Sequence, residues 1–159
     1  MNRIIWALGA VFVLISTGCG PKLIPGLQIE LADTPEHRTL LKIMESFRAA
    51  YEKKDVDGLV ALASARFYEK SGSSDTKDDY NYEGLREHFT KHFKMIDKVV
   101  LEYSFKAVRI EGETATIDYH FKTRYLMKLP SGDKWQVTND INRMNLVREN
   151  NEWKVLSGL

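Results

Sequence analysis

His88 and His92 stand four residues apart in Arg86 to Phe93, a stretch whose apolar residues recur at helical spacing. Two imidazoles on one helix face can grip a single metal ion. Phe89, however, follows His88 where a metalloprotease helix carries its acid, and no third ligand is evident. His92 also falls on the apolar stripe, where a hydrogen-bonded core histidine is the plainer reading. No metal and no cofactor is therefore expected. Asp118 and His120 share the polar phase of a later stretch with Lys122 and Arg124. Asp118, with His88 and His92, could serve as acid and base; the polar phase that it shares with His120, Lys122 and Arg124 more simply forms a solvated or subunit-facing sheet surface. A third set is aromatic: Phe47, Tyr51, Phe67, Tyr103, Phe105, Tyr119, Phe121 and Tyr125. These side chains either fill a core or line a concave apolar pocket, and a buried phenol among them needs a partner. Arg66 and Arg124 could each meet an anionic ligand or simply a surface carboxylate. There is no glycine-rich phosphate loop and no Ser-His-Asp order, and the single cysteine is Cys19.

The elements that must carry these groups are legible in order. Thr34-Pro35-Glu36 is a helix start, with a hydroxyl N-cap, proline in the first turn and an acid at the positive helix end. Leu40, Met44, Phe47 and Tyr51 then recur at helical spacing to about Lys54. Asp55-Val56-Asp57-Gly58 turns the chain and caps a short second helix using Leu59, Leu62 and Ala63, with Phe67-Tyr68 closing the pair. Ser71 to Tyr80 reads as a surface loop. A third helix is expected over Tyr82 to Ile96, with Leu85, Phe89, His92 and Ile96 on one face. After Asp97 the period becomes two: Leu101, Tyr103 and Phe105 alternate with polar residues, and the phase slips near Ala107-Val108, which predicts a bulge. Ala115, Ile117, Tyr119, Phe121, Thr123 and Tyr125 mark the inner phase of the cleanest strand. Two further strands are expected near Trp135–Val147 and Trp153–Leu156. Helices followed by an antiparallel meander make an α+β domain, helices on one face of a bent sheet.

Ahead of the domain, Met1-Asn2-Arg3 is a short positive segment and Ile4 to Ile15 an uncharged apolar run. The run is short for a bilayer span and is laid out as an export signal. Its ending, Ile15-Ser16-Thr17-Gly18-Cys19, resembles the lipobox of bacterial lipoproteins, with Ser16 standing where leucine is usual. The resemblance implies cleavage before Cys19, lipid on its thiol and anchoring in the bacterial cell envelope. An ordinary cleaved signal peptide, or an uncleaved anchor, is the alternative. Cys19 has no cysteine to pair with inside the chain, and multiple acyl chains would make a lasting tether. By analogy with enterobacterial sorting, Gly20 after the cysteine points to the periplasmic face of the outer membrane. The organisation expected is a signal peptide over 1–18, lipidated Cys19 and a Pro/Gly-containing tether over 19–33, and one domain over 34–159. Of 23 Lys+Arg only Arg3 precedes Cys19, and none of the 22 Asp+Glu does, so the rest is neutral. With no polybasic segment, nucleic acid is a poor partner. At 43% hydrophobic and 11% aromatic the chain can build a core.

The order of these parts resembles the NTF2-like superfamily, the cone-shaped fold of ketosteroid isomerase and the SnoaL-type cyclases. The resemblance covers about Thr34 to Leu159. It rests on Lys54-Asp55-Val56-Asp57-Gly58-Leu59-Val60-Ala61-Leu62, on Gly84-Leu85 opening the third helix, and on Trp153-Lys154-Val155 in the last strand. It implies three N-terminal helices packed on a strongly bent antiparallel sheet, and a sheet face able to pair two copies. It does not carry isomerase chemistry, which needs a carboxylate base and two oxyanion donors. The expected tyrosine falls on Phe47 and the base on or near Ser71, while the donor Asp falls about at Asn142. Fold leaves function open. A non-catalytic domain binding a small apolar ligand or a neighbouring envelope protein is expected, with Phe47, Tyr51, Phe67, Tyr103, Tyr119, Phe121, Tyr125 and Asn142 as pocket wall. The alternative is a cyclase or hydratase using His and Asp.

Overall fold

Thr34 opens the first helix as its residue type dictates: Oγ1 accepts the His37 N–H at 3.1 Å, and Pro35 occupies the first turn. The computed structural model describes residues 21–70 and 78–159. Helix α1 runs Pro35–Lys53 and ends on Lys54 in the left-handed region, at φ 56°. Lys54 Nζ then donates to the carbonyls of Ile96 and Asp97, at 2.8 and 3.0 Å, which ties the helix end to the start of the sheet. Asp55 caps α2 (Val56–Leu62) by accepting the Gly58 N–H at 2.9 Å. A Cβ on Gly58 would lie 2.5 Å from the Asp55 carboxylate, which would have to shift to make room. The tight corner between α1 and α2 is therefore written in Lys54-Asp55-Val56-Asp57-Gly58.

Strands β1 (Tyr68–Glu69) and β2 (Tyr80–Asn81) pair as a short antiparallel ladder before α3 (Tyr82–Phe93). Two sequence expectations change here. Tyr68 and Tyr80 belong to strands instead of closing a helix pair and a loop, because each pairs across the ladder; the intervening 71–77 lie outside the described residues. Helix α3 stops at Phe93, and Ile96, expected on its stripe, already starts β3 (Ile96–Glu111). Apolar spacing cannot separate the two, since Ile96 is buried against the same core from either element.

Strands β3, β4 (Thr114–Met127), β5 (Lys134–Glu149) and β6 (Glu152–Ser157) form one antiparallel sheet in sequence order. The register slips between Phe105 and Ala107, where the change of phase placed a bulge, and again between Ile96 and Lys98. Helices cover one face, with Leu40, Met44, Leu59, Leu85, Ile117, Met144 and Val155 fully buried between the layers. This is the α+β cone expected, three helices on a four-stranded sheet. The segment before α1 is itself partly folded, Leu23 bridging Ala32 with Leu31 buried, and its Leu27 and Ile29 pack against the core. Among the described residues no helix is long and apolar enough to cross a membrane.

Candidate functional site

The inner phase of β4 and the stripe of α1 converge on a cavity of about 170 Å³. Its wall is built by Phe47 and Tyr51 from α1, Leu101 from β3, Tyr119, Phe121, Thr123 and Tyr125 from β4, and Thr138 and Asn142 from β5. Leu159 finishes one side. The wall carries no charged side chain. Several of its polar atoms are hydrogen-bonded to one another or to groups beside the wall. Asn142 Nδ2 donates to the Tyr119 hydroxyl at 3.1 Å, and the Tyr119 hydroxyl donates to the Gly158 carbonyl at 3.4 Å. Tyr51 and Tyr125 share a hydrogen bond of 3.2 Å between their hydroxyls. Burial pushes the Tyr119 phenol up to about 12, the Asn142 donor working the other way. Burial also raises Tyr51, with Tyr125 adding to it, so Tyr51 and Tyr119 keep their protons at neutral pH.

One hydrogen bond leads out of this apolar wall. The Tyr51 hydroxyl and His92 Nε2 lie 2.7 Å apart, joining α1 to α3. Tyr51 also meets Phe93 edge-on at 5.2 Å between ring centres. His92 and His88 are parallel at 6.3 Å, and Tyr80 stacks on His88 at 4.1 Å. Both imidazoles are held below their ordinary value by burial, and His92 further by His88. At neutral pH they are uncharged bases. A wider depression of about 580 Å³, bordered by Glu69, Tyr80, His88, Asn142 and Leu159, adjoins the cavity through the last two residues. Burial raises the Glu69 carboxyl, with the Gly158 N–H that it accepts acting against the rise.

Of the eight aromatic and amide positions singled out in the sequence, Phe47, Tyr51, Tyr119, Phe121, Tyr125 and Asn142 line the cavity. Phe67 and Tyr103 stand apart from it. Phe67 is 2% exposed in the core against Tyr80, and Tyr103 reaches outward to donate to Glu45 at 3.4 Å. Leu101, Thr123 and Thr138 complete the wall; Thr123 had its signal, since it sits on the inner phase of β4. Leu159 had none. Asp118 is turned to the other face and clamped by Arg143 Nε and Arg109 Nη1, at 2.5 and 2.9 Å. Arg143 first, then Arg109, hold its carboxyl below the usual range. It does not line the cavity. Arg66 meets Glu149 and Arg124 meets Glu102, each at 2.9 Å, as surface pairs. Among the described residues no group of three metal-ligating side chains converges. Phe47 lacks the phenol an isomerase needs, and Tyr51, one turn further along α1, brings one to the same cavity. Ser71 and Cys19 lie outside the described residues.

No family model matches the sequence, and no curated protein does. Solved structures do. A proposed aromatic ring hydroxylase from Novosphingobium aromaticivorans is 19% identical, with a TM-score of 0.66 over 78% of this chain and 87% of its own. A proposed dehydratase of the NTF2-like family from Streptomyces avermitilis is 12% identical, with a TM-score of 0.65 over 76% and 92%. A ketosteroid isomerase-like protein from Erwinia carotovora atroseptica is 12% identical, with a TM-score of 0.62 over 78% and 93%. Likeness at these identities defines the architecture. The chain has the NTF2-like fold, that of the SnoaL-type and ketosteroid isomerase-like proteins.

Proposed function

We propose that this chain is a lipid-anchored protein of the bacterial cell envelope whose NTF2-like domain binds a small apolar or amphipathic ligand without transforming it. The anchor is Cys19, and the address is the periplasmic face of the outer membrane. Both rest on the Ile15-Ser16-Thr17-Gly18-Cys19 ending and on Gly20. The observation that carries ligand binding is the cavity between α1 and the inner face of β4, about 170 Å³ and lined by aromatic, aliphatic and neutral polar side chains. Drug-sized molecules occupy pockets of about 300 Å³ or more, so a compact ligand of one ring fits and a steroid does not. Neutral, mutually hydrogen-bonded phenols favour an uncharged guest over a carboxylate or phosphate.

Native mass spectrometry of the full-length protein purified from its own host tests this. A retained small mass is expected. It should be lost in Leu101→Trp, which fills the cavity. An empty wild-type chain would move the function from the cavity to contact with another envelope protein.

A second reading, an enzyme of cyclase or hydratase type, is favoured by the 2.7 Å contact between Tyr51 and His92. A neutral imidazole behind a phenol can take a proton that the phenol receives from a guest. The dehydratase and isomerase-like names among the structural neighbours agree with it. Recovery of the ligand unchanged after incubation favours the carrier. Conversion by wild type and not by His92→Asn favours the enzyme.

A further inference from the structure

Among the described residues, β6 pairs with β5 only over Asn145–Glu149, while β4 pairs with it from Lys134 to Val147. One bond orients the peptide groups of the uncovered part. Arg148 N–H donates to Glu113 O at 2.8 Å, toward the β4 side. Peptide groups in an antiparallel strand alternate between its two neighbours, and the β4–β5 register has no slip. Even-numbered residues of β5 therefore address β4. Trp135, Val137, Asn139 and Ile141 turn their N–H and C=O groups to the open edge. The caps agree with this. Ile141 N–H meets the Asp140 side chain just before it, at 2.7 Å, and Arg143 N–H meets that of Asn142, at 2.8 Å.

Natural edge strands are guarded by proline, charge, bulges or shortness. From Trp135 to Asn139 this edge has none of these. Its outer-phase side chains are apolar and open: Trp135 is 53% exposed, Val137 56% and Ile141 63%. On the sheet face beside it, Asp118 pairs with Arg109 and Arg143, and Arg124 with Glu102.

We propose that a second copy of this chain pairs antiparallel with this edge, about a two-fold axis at Thr138, fusing two four-stranded sheets into one. The strand is self-complementary in that register. Trp135 of each copy meets Ile141 of the other, Gln136 meets Asp140, Val137 meets Asn139, and Thr138 meets itself. No like charges face each other, and cross-strand apolar pairs support the ladder at both ends. Thr138 and Asn142 also line the cavity, so the second copy extends its wall. The pairing stands whether or not the cavity holds a ligand.

Cysteine cross-linking of the purified full-length protein tests it, with sedimentation giving its size. The wild type carries only Cys19 and controls for bridges through that residue. Facing positions in an antiparallel pair are close enough for a disulfide. Thr138→Cys should give a covalent dimer on mild oxidation, and Lys122→Cys, on the sheet face, should not. Val137→Pro removes an edge N–H from each copy and should weaken the dimer about tenfold or more. Circular dichroism checks that this variant is folded. A monomeric wild type would overturn the proposal. So would a dimer bridged through Lys122→Cys and not through Thr138→Cys, which would place the contact on the sheet face.

Discussion

His92 is a base with two neighbours of opposite character, the Tyr51 hydroxyl at 2.7 Å and the His88 ring stacked beside it. Burial first, and His88 second, hold it below its ordinary value. The unfolded chain thus takes up this proton at higher pH than the folded one. Stability is complete above the ordinary histidine value and is lost as pH falls below it. His88 acts in the same direction. Glu69 opposes, because its raised carboxyl is protonated first in the folded state and loses that advantage as pH rises. Comparison with His92→Asn separates these contributions. Between about pH 7.5 and 5.5, either side of the ordinary histidine value, the wild type should lose more melting temperature than the variant. Equal losses would mean that His92 takes its proton as readily in the folded protein as in the unfolded one. The sequence marked His92 as a core histidine with a hydrogen bond. Its partner could not be read there, because Tyr51 is 41 positions away and meets it only when α1 and α3 pack.

At the scale of elements, the corner between α1 and α2 does the most with the fewest residues. Lys54 closes one helix and reaches the sheet, while Asp55 opens the next. Asp55→Ala removes the side chain that accepts the Gly58 N–H, and should cost about 1 kcal/mol in a urea denaturation. Asp55→Asn, which keeps an acceptor oxygen, should recover most of it. Equal losses in both variants would mean that the carboxylate's charge matters more than its hydrogen bond. This corner was fully written in local residue types, as was the bulge after Phe105, where the alternation changes phase. The β1–β2 ladder was not. Each strand is two residues long, too short for any periodicity to register, and is held by pairing across the intervening segment.

For the whole molecule, the proposal joins a lipid on Cys19 to a domain whose first packed residues lie close behind it. Leu31 is buried and Leu23 bridges Ala32, so the free tether is shorter than the whole of Gly20 to Asp33. Cys19→Ser should abolish labelling by radioactive palmitate and leave uncleaved precursor on a gel. Normal processing of that variant would identify an ordinary signal peptidase and a domain released from the membrane. The proposed lipid site rests on a few residues whose chemistry is local.

What the sequence determined by itself is whatever depends on neighbours within a turn or a strand. That covers the presence of three helices, the caps at Thr34 and Asp55, the long strands, the inner phase of β4 and the α+β cone they assemble. Tertiary structure decided which inner aromatics meet a void and which meet the core. Phe67 and Tyr103 share the aromatic character of Phe47 and Tyr119, yet only the latter pair lines the cavity. A void is the remainder left after side chains from four elements have met, and no single element's pattern records it. The open edge of β5 has the same origin. Its residues read as an ordinary strand, and the shortness of β6 leaves them without a second neighbouring strand among the described residues.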